Sequence, residues 1–168
     1  MDGRLYEENN TLIPVMMTLL LVLGTAALLF FAVYEMMYGG EEFEIGSVGS
    51  IVLLSVSVMM VIISAAFFML KLKIRVTYDS LTVGVLKGRP VPMSEIHSVA
   101  SEDYSPMKDY FGWGLRVGRK GFGYIAAGTN KGLRINLKTG KSFFVSSKNT
   151  FEFESAMNAA LKAQKKAR

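Results

Sequence analysis

The sequence predicts an α+β protein in two parts: a transmembrane helical hairpin over residues 1–70 and a β-rich domain ending in a helix over residues 71–168. Three observations carry this. Residues 12–34 and 48–70 are each 23 residues long without a charge. From Lys71 onward, continuous apolar runs give way to a period of two. Charge also divides: residues 1–70 hold one basic and seven acidic side chains, residues 71–168 eighteen basic and seven acidic. Such asymmetry assigns the halves to different environments.

Each apolar stretch reaches roughly 34 Å as a helix, enough for a hydrocarbon core of about 30 Å. Backbone in lipid must bond to itself, so both are read as helices despite Val61, Ile62 and Ile63. The competing reading, two core helices of a soluble protein, fails on size, because 98 further residues cannot cover two all-apolar helices. A cleaved leader does not fit the first stretch: its flank is acidic, its apolar run too long, and Tyr34-Glu35-Met36-Met37 offers no small-residue cleavage pattern.

The flanks set the expected orientation. Residues 35–47 carry four glutamates and no cation, whereas Lys71, Lys73 and Arg75 follow the second stretch. Positive flanks stay cytoplasmic, so the N-terminus and the C-terminal domain are expected inside a multi-pass protein of the cytoplasmic membrane. Lys71, Lys73 and Arg75 then lie near the headgroups, where anionic lipid attracts them. Tyr34, Tyr38 and Phe43 suit the outer interface.

Small residues recur every seven positions: Thr11, Thr18, Thr25 and Ala32 in the first stretch, Ser50, Ser57 and Ser64 in the second. Such stripes let helix backbones approach, within one chain or between chains. Neither stretch contains Asp, Glu, Lys, Arg or His, the groups on which ion and proton pathways depend. The hairpin reads as an anchor.

In the second part, Ile74, Val76 and Tyr78 alternate, Asp79-Ser80 turns the chain, and Leu81, Val83 and Val85 alternate again. Gly88-Arg89-Pro90 breaks that strand and Pro92 keeps the next piece extended. Further strands are expected at residues 96–100, 113–117, 122–127, 133–137 and 142–146, with residues 101–109 as a loop. On the segment 133–137, Leu133, Ile135 and Leu137 face a core while Arg134 and Asn136 face solvent. Asn149, with Glu152 three positions on, starts a final helix whose stripe is Phe153, Met157, Ala160 and Leu161.

Two spans, a basic stop, about seven strands and a terminal helix resemble the membrane-anchored bacterial and archaeal pleckstrin-homology-like (PH-like) proteins. The segment Phe111-Gly112-Trp113-Gly114-Leu115-Arg116, then Gly128, Thr139-Gly140-Lys141 and Phe151-Glu152-Phe153-Glu154 carry the likeness, over about residues 71–162. The resemblance implies a PH-like β-barrel, self-association and no established reaction. The turn Tyr78-Asp79-Ser80 lacks the basic residues of the phosphoinositide-binding type.

Other chemistry is thin. No cysteine excludes disulfides, thiolate metal sites and cysteine nucleophiles, and one histidine excludes a multi-histidine metal site. Thr139-Gly140-Lys141-Ser142 ends like a phosphate-binding loop, but Ile135 stands where the motif needs glycine. Glu95 and His97 share a strand face without a nucleophile beside them. The pI near 9.4 permits nucleic acid, yet no nucleic-acid motif is present. The sequence therefore predicts a non-enzymatic membrane protein, without metal or cofactor, that assembles with itself or a membrane protein partner. Trp113, Arg116, Arg119 and Lys120 are its candidate contacts, and binding of anionic headgroups is the alternative.

Overall fold

The computed structural model describes residues 3–38, 48–85 and 87–166, the side chains of Ser50 and Phe68 excepted. The chain forms two compact units, Met1–Ile13 with Leu70–Arg168, and Pro14–Met69. Phe43 and the glutamates at 41, 42 and 44 lie outside the described residues.

The helical unit pairs α1 (Val15–Tyr38) with α2 (Val48–Met69). By length and composition α1 is able to cross a membrane, and α2 holds a shorter apolar run, Ile51–Phe67. The first helix begins three residues later than expected. Pro14 lacks an N–H and ends the extended segment before it, while its carbonyl accepts the Thr18 amide at 3.2 Å.

The other unit contains a strand that the alternation rule missed. Residues 4–11, which the sequence groups with the helical part, form β1 (Arg4–Thr11), which buries Tyr6, Glu8 and Asn10. Polar side chains on the inward face hide the apolar alternation by which a strand is read. β1 heads a four-stranded antiparallel sheet with β2 (Lys71–Thr77), β3 (Ser80–Gly84) and β4 (Arg89–Pro92). After one 3-10 turn, Met93–Glu95, come β5 (Ile96–Asp103), the short helix α3 (Pro106–Tyr110), β6 (Gly114–Gly118), β7 (Gly121–Ile125), β8 (Lys131–Leu137) and β9 (Ser142–Ser146). These five strands make a second sheet in the order β5-β8-β9-β7-β6, with β7 and β9 parallel.

The closed barrel of about seven strands is thus replaced by two open sheets with nine strands among the described residues. Pro90 and Pro92 give β4 no amide for a further ladder, and β6 ends the second sheet. Leu72, Ile74, Val76 and Leu81 from one sheet meet Leu133, Ile135, Phe143 and Val145 from the other in one core. The C-terminal helix α4 (Thr150–Lys166) starts directly after Asn149, whose carbonyl accepts the Phe153 amide, and adds Phe153, Met157 and Ala160 to that core. It packs on β1, β2, β5 and β8. Tyr6 stacks on Phe153 with ring centroids 5.4 Å apart.

β8 is buried on both faces, not one. Arg134, expected in solvent, lies under Tyr110 and Phe144 in a second small core with Tyr104 and Ile125. Residues 106–110, read as loop, are α3; the Ser105 hydroxyl accepts the Lys108 amide and Pro106 occupies the first turn.

Candidate functional site

Between β4 and the second sheet lies a groove of about 440 Å³. Val83, Pro90 and Val91 wall it on one sheet, Phe122, Tyr124 and Phe143 on the other. Leu115 pairs with Tyr124 and Val117 with Phe122. Paired residues point to the same face of a sheet, so the apolar row of the groove continues onto β6. Leu115 is 53% and Val117 76% exposed there.

Trp113 and its cationic neighbours surround this edge. The indole is half-buried against the second core. Arg116 is exposed and its Nε donates to the Trp113 carbonyl at 2.8 Å. Arg119 and Lys120 form the β6–β7 turn. Lys120 Nζ lies 3.4 Å from Asp109 Oδ2 and 3.2 Å from the Asp103 carbonyl, so part of its charge is spent internally. The Ser105 amide, then Lys120, hold the Asp109 carboxyl below its usual range.

Arg134 fixes the turn from beneath. It donates to the Lys120 carbonyl at 2.7 Å, to Tyr110 Oη at 3.1 Å and to Glu102 at 3.1 and 3.4 Å. Its role was invisible in sequence, because alternation with Leu133 and Ile135 reads as a solvent face. Phe111, exposed beside Trp113, caps α3 in the left-handed region at φ 58°. A bulky side chain there is a strained backbone, and such strain gathers at working surfaces.

No family model, curated protein or solved structure matches this chain.

Lys71, Lys73 and Arg75 all point outward from β2. Arg75 bonds Glu7 at 3.1 Å, which leaves Lys71 and Lys73 as the more available pair. Lys73 faces Gly84 across the sheet and Arg89 faces Val83, so the β3–β4 turn brings exposed Lys87 and Arg89 to that same end. The turn is tight: a Cβ on Gly84 would stand 2.4 Å from the Gly88 Cα.

Among the helix residues, Thr25, Ala32, Ser57 and Ser64 are buried and Thr18 is half-buried; the Ser50 side chain lies outside the described residues. Thr25 Oγ1 and Ser64 Oγ are 3.1 Å apart. Each also reaches a carbonyl one turn back, Leu21 at 2.7 Å and Met60 at 2.8 Å. A hydroxyl has a single proton, so one of them must share it to bridge the helices. Thr11 does not join this stripe. It sits in β1 opposite Lys71, because Pro14 starts the helix after it.

Glu95 and His97 are exposed, and no group of three potential metal ligands occurs among the described residues.

Proposed function

We propose that this protein is a non-enzymatic, membrane-anchored interaction and assembly module. In this reading α1 and α2 form a two-span hairpin, and the sandwich is a PH-like domain held at the cytoplasmic face. The observation that carries it is the pairing of Thr11 with Lys71. The strand before the first apolar helix and the strand after the second are neighbours in one sheet. If α1 crosses a bilayer, the chain must cross back to bring Lys71 beside Thr11, and α2 is the segment available for the return. Both ends then lie on one side, and the cations after α2 favour the cytoplasm.

The exposed edge around Trp113, Leu115 and Val117 is the contact surface of this reading, for a second copy or for another membrane protein. Light scattering of the full-length protein in mild detergent tests it. A defined multiple, or a retained protein partner, lost in Trp113→Ala with the fold intact, is the expected result. A strictly monomeric protein that retains no partner overturns it.

A second reading is favoured by the four cations Lys71, Lys73, Lys87 and Arg89 at one end of the first sheet. One residue, Leu70, separates α2 from Lys71. Cations so close to a span attract anionic headgroups by about 1 kcal/mol each. Purified protein is then expected to retain anionic over neutral lipid, and glutamine at the four positions to abolish the preference. Equal retention of both lipids overturns this reading.

A further inference from the structure

We infer that the outer edge of β6 takes up an extended, acidic peptide segment of a partner protein as an added strand. The inference rests on the interaction-module reading and names the chemistry of the partner.

Other sheet edges are guarded. β4 carries Pro90 and Pro92, which cannot donate to a ladder. α4 packs on β5 and on β1. α3 packs on β6 at its Gly118 end, but Leu115, Arg116 and Val117 stay exposed. β6 ends its sheet, contains no proline, and exposes Leu115 and Val117 on one face and Arg116 on the other. An edge of this kind is a template for main-chain pairing.

The side chains select the occupant. A strand added to β6 alternates, so every second residue lies beside Leu115 and Val117, on the apolar row that leads into the groove at Phe122 and Tyr124. The intervening residues lie beside Arg116, with Arg119 in the adjoining turn. Those positions call for Glu or Asp, and the apolar ones for Val, Ile or Leu. The chemistry is an alternating acidic–apolar sequence about five residues long, matching the length of β6.

A second copy of this chain is a poorer occupant. Antiparallel pairing of β6 with itself in the symmetric register sets Arg116 directly against Arg116, and like charges opposite one another in a sheet repel. The Trp113 carbonyl holds Arg116 Nε at 2.8 Å, which anchors the guanidinium beside the edge.

The probe is a capped Glu-Val-Glu-Val-Glu-Val peptide carrying a fluorophore, titrated into full-length protein in detergent micelles and followed by anisotropy. Trp113 is the one tryptophan, and its emission gives a second signal from beside the site. Saturable binding is expected, weakened at least tenfold in Arg116→Glu/Arg119→Glu and at least tenfold by N-methylation of alternate peptide amides. That methylation blocks pairing without touching the protein. Three results overturn the inference: no binding, equal binding of a Lys-Val-Lys-Val-Lys-Val peptide, or binding indifferent to N-methylation. A protein that assembles in detergent yet ignores the peptide sinks this inference and leaves the module reading standing. Self-association that tightens in Arg116→Glu assigns the edge to a second copy, and it too overturns the inference.

Discussion

Glu8 accepts the Ser147 hydroxyl at 2.5 Å, tying the first strand to the segment that precedes the last helix. The Tyr6 hydroxyl donates to the same carboxylate at 2.5 Å and the Lys148 amide at 2.8 Å. Burial pushes this carboxyl up, but the Ser147, Tyr6 and Lys148 donors outweigh it and leave it below the ordinary glutamate value. A carboxylate lowered in the folded state stabilises above its unfolded pKa, about 4.3, and loses that contribution as pH falls through the folded value. Denaturant titrations from neutral to acid pH are expected to show stability declining below about pH 4.3. Glu8→Gln should flatten that decline. Glu8→Ala strands its donors and should cost about 2–3 kcal/mol at neutral pH.

Arg134 is expected to control the order of the β6–β7 hairpin. Arg134→Met removes the donor to the Lys120 carbonyl and leaves Glu102 without its 3.1 Å partner. Breaking one side of a buried pair costs about 3–5 kcal/mol, and the lower end applies here because Glu102 is part-exposed. Hydrogen exchange should quicken in β6 and β7 before the rest of the sandwich. Uniform acceleration throughout would mean that Arg134 acts only through global stability.

Phe111 pays a backbone penalty that glycine would not. Its left-handed φ of 58° costs about 1–2 kcal/mol for a residue with a Cβ, and its ring is 60% exposed. Phe111→Gly is expected to raise the denaturation midpoint while weakening any partner that touches this edge. A lower midpoint would show that the ring packs better than its exposure implies.

Packing between the apolar helices depends on small side chains where they touch. Ala32 is 2% exposed, so Ala32→Leu overpacks the contact and should destabilise the pair by about 1–3 kcal/mol. Ala27, exposed on the same helix, is the control: Ala27→Leu should change nothing. Thermal unfolding of both variants in detergent separates a contact face from general tolerance.

Strands announced themselves where alternation was apolar. Ile74 and Val76, Leu133 and Ile135, and Phe143 and Val145 are all core residues, as their spacing implied. β1 was not legible because its inward positions are Tyr6, Glu8 and Asn10, and the groups that meet Tyr6 and Glu8, Ser147 and the Lys148 amide, lie far along the chain. Arg134 misled for the same reason: a cation in alternation signals solvent unless a carboxylate and a phenol meet it. The Ser105-Pro106 helix start was present in the sequence, but five residues give no periodicity to support it. Trp113, Arg116, Arg119 and Lys120 did fall together on one edge, since a short hairpin keeps near neighbours near. The groove beside them was unreadable, because it exists only where two sheets fail to close.

The juxtaposition of Thr11 and Lys71 also sets an order of events during synthesis. Lys71 follows Thr11 by 60 positions, so at about 5–20 residues per second the first strand waits roughly 3–12 s for its neighbour. Tyr6 and Glu8 wait longer still, because Phe153 and Ser147 follow them by 147 and 139 positions. Joining residues 3–11 to 71–166 through Asn-Gly removes the delay, because such a pair makes the turn that adjacent antiparallel strands need. That shortened chain is expected to fold without detergent and to give a cooperative melt. Residues 71–166 alone, with β2 unpaired, are expected to aggregate.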